Sequence, residues 1–220
     1  LSFNVFGRAD ASEAFQQSLK MLETLIADFT VSGATAIATE LQEVYDKNKD
    51  VSGDGIEAAQ KALSEVMAEA KDVQVNVDSL VASIKTAESL YAKVEDGTYT
   101  LSTKGKEALE QGITEAERIL QETQMSAMGT QAPVYVEKLN AQVRDARLWM
   151  GMIYPLEKAK ELADAITGLG ETDAYRQVVS DLDDVALTFE KVTTDVAALN
   201  LVCRNAMTMD FLSKLHQMLP

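Results

Sequence analysis

Helical spacing of apolar residues over long proline-free stretches is the feature that most restricts how this chain can fold. Its 220 residues include three prolines, at positions 133, 155 and 220. Between them, leucine, isoleucine, valine and alanine recur three and four residues apart. That spacing gathers apolar side chains on one face of an α-helix, whereas a half-buried strand alternates with a period of two. The sequence therefore predicts an all-α protein.

Apolar faces and helix breakers together predict the positions of the helices. A first helix is expected near residues 10–30, opened by a capping-box pair of Asp10 and Glu13, and it ends at Gly33. Later helices are expected near 34–48, 55–72, 77–91 and 109–120. A link is expected over 125–132, and the last helical stretch, 172–219, is too long for a single helix.

The two internal prolines have opposite expected roles. Pro133 is expected in the first turn of a helix, where its missing N–H is not needed. Pro155 is expected to kink or interrupt that helix, because it removes a backbone donor and clashes with the preceding turn. The helical pattern resumes at Leu156 and stops at the glycines Gly168 and Gly170.

A recurring order of a short helix, a loop, a longer helix and a third helix can be placed on the chain near Ile37, Leu80 and Leu156. Repeats of this kind stack as successive units. We therefore expect an elongated array of three-helix-bundle-like units with antiparallel helices. The expected units cover residues 1–75, 76–153 and 154–220.

The central unit carries residues at the positions of a known repeat: Leu80, Ile84, Ala87 and Leu90, then Tyr99 and Thr100 in a loop, then Leu109, Ile113, Ala116 and Ile119. The segment Leu80 to Leu148 resembles the FIVAR module, a small helical repeat of bacterial cell-surface proteins. The flanking units depart from it, since the first lacks the Tyr-Thr loop and the third has Gly168-Leu169-Gly170 there. The resemblance implies a surface-anchored or secreted parent protein, in which such modules act as stalks or adhesion elements without catalytic residues.

The charge of the chain disfavours two classes of partner. The formal net charge is −15, from 35 acidic and 20 basic residues. A surface of this sign repels nucleic-acid phosphates and anionic lipid headgroups. No stretch approaches the roughly 20 apolar residues that span a bilayer, so no membrane insertion is expected. Because the chain begins at Leu1 rather than Met, we interpret it as a processed or excised segment.

Residues typical of catalysis are scarce. The single histidine, His216, has no second histidine for a metal site and is expected at the surface or in a helix cap. The single cysteine, Cys203, lies on an apolar helical face and is expected to be buried and inert. The neighbouring carboxylates Asp183 and Asp184 are expected on a helix and would point apart. The sequence therefore predicts no enzyme activity, no cofactor and no metal.

One segment, Asp50–Gly55, reproduces the first half of a calcium loop, with oxygen ligands at alternate positions and then a glycine. Its second half fails, because position eight is Glu57 and the closing position twelve is Lys61. Helix capping and turn formation account for the same residue types without an ion. Whether this loop binds calcium is left open by the sequence.

An apolar cluster without a polar face is the best sequence candidate for a partner-binding site: Trp149, Met150, Met152, Ile153 and Tyr154. Apolarity on all sides favours a buried joint between two bundles, kinked at Pro155, over an exposed contact patch. Four methionines, Met125, Met128, Met207 and Met209, equally fit core filling.

Two functions are consistent with these patterns. The first is a non-catalytic spacer or interaction module of a larger extracellular or cell-surface protein. The alternative is an intracellular helical adaptor that binds a protein partner through the Trp149–Tyr154 region. In both cases the expected partners are proteins or neighbouring domains, and the sequence does not determine the oligomeric state.

Overall fold

A computed structural model describes residues 3–219, with side chains from residue 11 onward. These residues form seven α-helices and no β-strand, which confirms the predicted all-α class. The helices are α1 (Phe3–Ser32), α2 (Thr35–Asn48), α3 (Ile56–Glu95), α4 (Thr103–Glu122), α5 (Met125–Asp164), α6 (Asp173–Asp181) and α7 (Phe189–Met218).

Helices α1 and α2 pack against each other across a two-residue connection. Gly33 takes a positive φ of +88°, which favours glycine, and the amide of Ala34 donates to the carbonyl of Phe29 at 2.9 Å. The predicted end of the first helix is thus confirmed. Its predicted start is wrong, because the backbone is helical from Phe3 and Asp10 lies inside α1, with its side chain outside the described residues.

Helix α3 is a single 40-residue helix where the sequence suggested two. The expected link near residues 73–76 is helical, and Val73 and Val77 are both buried, four residues apart. One turn of α-helix places such residues on the same face. The predicted link is therefore wrong, because polar residues between them, such as Gln74, do not break the helix.

Helix α5 also spans 40 residues and passes through both internal prolines. The expected link over 125–132 is helical, so Pro133 is nine residues into the helix rather than in its first turn. Pro155 does not interrupt it either, and the helix ends at Asp164. A proline removes one backbone donor, and the other hydrogen bonds of a long packed helix are enough to keep it continuous.

The last stretch of the chain contains two capped helices. The side chain of Thr172 accepts a hydrogen bond from the amide of Tyr175 at the start of α6, and Thr188 accepts from Lys191 at the start of α7. Such N-caps satisfy amides that have no partner within the helix. Helix α5 ends at Asp164, four residues before the predicted glycine stop, and Gly168, whose φ is +90°, lies in the connection before α6.

The chain divides into two compact units. The first contains residues up to Glu88 together with Gln111–Asn140, and the second contains Ser89–Glu110 together with residues from Ala141 onward. The three expected ranges stay a prediction, although their borders at 75 and 153 fall inside the continuous helices α3 and α5.

Each unit has its own buried side chains. In the first unit the largest fully buried ones are Phe15, Leu22, Phe29, Ile37, Leu41, Leu63, Leu80, Met128 and Leu139. A hydrogen bond from the Gln60 amide to the Ser18 hydroxyl, at 2.8 Å, ties α3 to α1 there. The core of the second unit consists of Trp149, Met152, Ile153, Leu156, Ala159, Ala163, Leu169, Val178, Leu187, Val192, Leu199 and Cys203.

Candidate protein-interaction surface

The apolar cluster singled out in the sequence is divided between core and surface. Trp149, Met152 and Ile153 are buried in the core of the second unit, and Met150 is half-buried against it. The indole N–H of Trp149 donates to the backbone carbonyl of Asp184 at 2.6 Å. Tyr154 is 61% exposed.

This division follows from helix geometry, because residues 149, 152, 153 and 156 share one face of α5. Three of the five side chains are therefore engaged in packing within their own unit. A role for this segment in binding a partner stays a prediction, and Tyr154 is the member that a partner could reach directly.

A different apolar surface stands out in the structure, on the second half of α7. Every residue from Met207 to Leu219 is exposed. Five of these are large apolar residues on one side of the helix, Met207 63%, Phe211 64%, Leu212 49%, Leu215 45% and Met218 80% exposed, and Leu219, 65% exposed, follows directly after the last helical residue. We call these six residues the α7 face. Residues 207–219 contain seven of the exposed large apolar side chains, namely the six of the α7 face and Met209.

The spacing of the α7 face is that of a helix-binding stripe. Met207, Phe211, Leu215 and Met218 follow each other at intervals of four, four and three residues, and Leu212 widens the stripe. With 3.6 residues per turn, these positions share one side of the helix. Ser213 and Gln217 lie on the opposite side, and an ion pair of 3.0 Å between Asp210 and Lys214 lies along one edge.

The first half of α7 shows what such a stripe does when it is covered. Val192, Leu199 and Cys203 are buried against α5 and α6 in the core of the second unit. Beyond Ala206, which is half-buried, no residue of α7 in the described part is covered. The same helix therefore has a packed half and an apolar half that lacks a partner within its unit.

A small surface cavity of about 180 Å³ lies beside Trp149 in the second unit. Leu109, Ala146 and Trp149 contribute buried apolar side chains to its wall. Gln142 also lines it, and the Oε1 atom of this side chain is buried without a hydrogen-bond partner.

Two carboxyl groups, Asp195 and Glu117, have raised pKa values, and each lies beside a second carboxyl group. In the second unit, burial, a hydrogen bond that the protonated Asp195 carboxyl donates to Asp181, and the negative charge of Asp181 raise the pKa of Asp195 to about 7, against an opposing effect of Lys191. Asp195 and Asp181 are 7% and 4% exposed. In the first unit, a hydrogen bond with Glu88, followed by burial and charge repulsion, raises the pKa of Glu117 to about 7.

The neighbouring carboxylates Asp183 and Asp184 lie in the turn after α6 rather than on a helix, so that expectation is wrong. The Asp183 carboxylate accepts a hydrogen bond from the amide of Thr103 at 3.3 Å. The Asp184 carboxylate accepts from the amide of Ala186 at 2.8 Å and from Lys191 Nζ at 2.9 Å. Both carboxylates therefore organise the connection between α6 and α7.

The remaining candidates from the sequence are Cys203, His216 and the calcium-like segment. Cys203 is buried, and burial raises the pKa of its thiol, as expected of an inert cysteine. His216 is exposed in the last turn of α7, as predicted. In the calcium-like segment, Gly53–Gly55 form one 3₁₀ turn directly before α3. Among the side chains of residues 11–219, no group of three or more histidine, cysteine or acidic residues is arranged to hold a metal ion.

The methionines separate into two groups that the sequence did not distinguish. Met125 and Met128 are buried, which confirms core filling for them. Met207 and Met209 are exposed, at 63% and 67%, so core filling is wrong there. The signal that could have indicated the α7 face was present, since residues 207–219 have an apolar side and a polar side.

The fold and its most exposed apolar surface define an all-α protein with a helical stripe open to contact. Comparison with protein-family models, with curated proteins and with solved structures gives no match to this chain. None of the helices among the described residues has the length and apolarity to cross a bilayer.

Proposed function

We propose that this chain is a non-catalytic helical interaction module, which docks a helix of a protein partner on the α7 face and spaces neighbouring domains of a larger extracellular or cell-surface protein. The observation that supports docking is the exposure of five large apolar side chains on one side of α7 and of Leu219 directly after it. The resemblance to surface repeats over Leu80 to Leu148 supports the spacer role and the location.

The energetics of the α7 face favour a covered state. Contiguous exposed apolar patches of several hundred Å² are uncommon on monomers and mark interaction sites. Burying a large apolar side chain contributes roughly 1.5–3 kcal/mol. Six partly exposed side chains can therefore stabilise a complex, after the loss of translational and rotational freedom is subtracted.

A helix is the occupant that best fits this stripe. Apolar side chains at intervals of three and four residues interdigitate with apolar side chains that have the same spacing on a second helix. A lipid surface is a poorer match, because membrane-bound amphipathic helices have lysine- and arginine-rich polar sides. Residues 204–218 contain one arginine, one lysine and one aspartate, and the whole chain has a net charge of −15.

The test uses an environment-sensitive apolar dye that fluoresces when it binds an open hydrophobic surface. We expect dye binding to the intact chain and its loss in Phe211→Asp/Leu215→Asp. The control, Ser213→Asp/Gln217→Asp, adds the same charge on the opposite side and should bind dye normally. An unchanged dye signal in the first variant would contradict the proposal, as would firm binding of the chain to neutral phosphatidylcholine vesicles.

A further inference from the structure

We infer that the partner on the α7 face is a second copy of this chain, paired antiparallel through the second half of α7 around a two-fold axis near Leu212. This inference rests on the proposed function, because it identifies the occupant of that same surface. Three observations support it: the pattern of charges on α7, the length of its exposed part, and the apolar area that pairing would cover.

The charge pattern favours the antiparallel direction. Asp210 and Lys214 lie along the same edge of the apolar stripe, with their side chains 3.0 Å apart. In an antiparallel pair of helices, equivalent edges face each other, whereas in a parallel pair opposite edges meet. Centring the two-fold axis on Leu212 places Asp210 of each copy opposite Lys214 of the other. Two symmetric ion pairs then form beside the apolar seam.

The same register interleaves the apolar side chains. Position 211 of one copy lies opposite position 213 of the other, so Phe211 lies between Phe211 and Leu215 of the second copy. Position 207 lies opposite position 217, so Met207 lies next to Met218 of the second copy. The repeated intervals of four, four and three then insert side chains of one helix between those of its partner. A closed two-fold contact of this kind uses the same surface on both copies, so neither copy keeps an open α7 face that a third copy could bind.

The exposed length of α7 is sufficient for this overlap. Residues 204–218 form fifteen helical residues beyond the buried Cys203, a length of roughly 22 Å at 1.5 Å per residue. In the proposed register, Cys203 of each copy lies just past the end of the other helix. Helical residues 206–218 of the two copies overlap, so nearly all of the exposed part of α7 is used.

Net charge opposes association of two acidic chains but is nearly balanced at this contact. The full chain has a net charge of −15, whereas residues 204–218 contain two basic residues, Arg204 and Lys214, and one acidic residue, Asp210. Exposed charges further apart than about 8 Å are largely screened at physiological salt. Repulsion is thus weakest where the two copies would meet.

The apolar area predicts a dimer of moderate affinity. Six side chains, which are between 45% and 80% exposed, would remove roughly 600 Å² per copy and roughly 1,200 Å² in total, at the lower end of specific interfaces. We therefore expect a dissociation constant on the order of 10 µM.

Sedimentation equilibrium of the intact chain between about 2 and 200 µM, in 150 mM NaCl, measures this association. A monomer–dimer equilibrium in that range is expected. Phe211→Asp/Leu215→Asp should weaken it by roughly a hundredfold or more, since both apolar contacts are lost on each copy. The control, Ser213→Asp/Gln217→Asp, should dimerise like the original chain, and far-UV circular dichroism verifies that all variants are folded.

Charge reversal tests the direction of pairing. Asp210→Lys alone and Lys214→Asp alone each place like charges opposite each other and should weaken dimerisation roughly tenfold. An equimolar mixture of these two variants should associate again, because every lysine then faces an aspartate. A lack of rescue in the mixture would overturn the antiparallel pairing.

The outcomes separate this inference from the proposed function. A chain that stays monomeric at 200 µM but binds the apolar dye at the α7 face overturns the second copy as partner, and the interaction surface stands. A chain that neither dimerises nor binds the dye there overturns both proposals.

Discussion

Single residues of this protein gain their roles from what they meet across the chain. Asp184 is an example, because its carboxylate bonds Ala186 and Lys191 while its carbonyl accepts the indole N–H of Trp149. In the sequence, Asp184 is one of many acidic residues, but in the structure it holds the turn between α6 and α7 against α5. Asp195, by contrast, is a carboxyl group whose burial makes it sensitive to pH.

The first prediction concerns Asp195 and the dependence of stability on pH. Its pKa is raised in the fold to about 7 from an ordinary value of 3.8, so the folded state binds a proton more tightly than the unfolded chain. The stabilising contribution is complete below the ordinary value and is lost as pH rises through about 7. The groups that face it are Asp181, which raises its pKa, and Lys191, which lowers it.

Asp195→Asn should remove this contribution to the pH dependence. We expect the original chain to lose roughly 2–4 kcal/mol of unfolding free energy between pH 4 and 8 through this group, and the variant to be the more stable one at pH 8. Urea unfolding at several pH values measures the difference. Asp28→Asn, at an exposed position on α1, is the control, and equal pH profiles for Asp195→Asn and the original chain would refute the prediction.

At the scale of elements, helix continuity depends on packing more than on local sequence. Helix α5 contains Gly129, Pro133, Gly151 and Pro155 and still runs unbroken from Met125 to Asp164. Residues of low helix propensity are tolerated because buried side chains along both halves of the helix stabilise it. Such positions retain their intrinsic energetic penalty, which substitution can reveal.

The second prediction compares two glycines that each have open space where a Cβ atom would lie. Gly151 is helical, whereas Gly168 has a φ of +90°. Gly151→Ala should stabilise the protein by roughly 0.5–1 kcal/mol, because alanine loses less backbone entropy in a helix. Gly168→Ala should destabilise it by roughly 1–3 kcal/mol, because alanine is strained at positive φ.

Thermal unfolding of both variants measures this contrast. Since neither added methyl group meets a neighbouring atom within 4 Å, differences between the variants report backbone conformation alone. A variant Gly168→Ala as stable as the original chain would show that this glycine is not needed for the turn before α6.

At the scale of the whole molecule, charge is the dominant property. A net charge of −15 on 220 residues produces long-range repulsion that opposes compaction. The ion pairs among the described residues join exposed side chains, apart from partly covered Asp184 and Lys160, and pairs of this kind contribute little. Screening the repulsion should therefore have a larger effect than weakening the pairs.

The third prediction is that NaCl stabilises the protein. Raising NaCl from about 10 to 300 mM shortens the screening length from roughly 30 Å to below 8 Å, so the melting temperature at pH 7.5 should rise. The control is the same titration near pH 4.5, the isoelectric point of the sequence, where the net charge vanishes and salt should have little effect. A melting temperature that falls with salt at pH 7.5 would contradict the prediction.

The sequence by itself determined the all-α class and several of the helix ends. Apolar residues at intervals of three and four predicted α2 and α4, and Gly33 and Gly168 predicted breaks, because these signals act within a few residues of the chain. The same local signals misplaced the start of α1 and divided α3, since a short polar stretch resembles a link when the buried face on either side is not known.

The tertiary structure alone decided which apolar residues are covered. Leu199 and Leu215 belong to one helix and have the same side chain, yet Leu199 is buried and Leu215 is 45% exposed. Periodicity shows that a helix has an apolar side, but burial depends on whether a second element reaches that side. For the first half of α7 that element is present in its own unit, and for the α7 face we propose that a second copy supplies it.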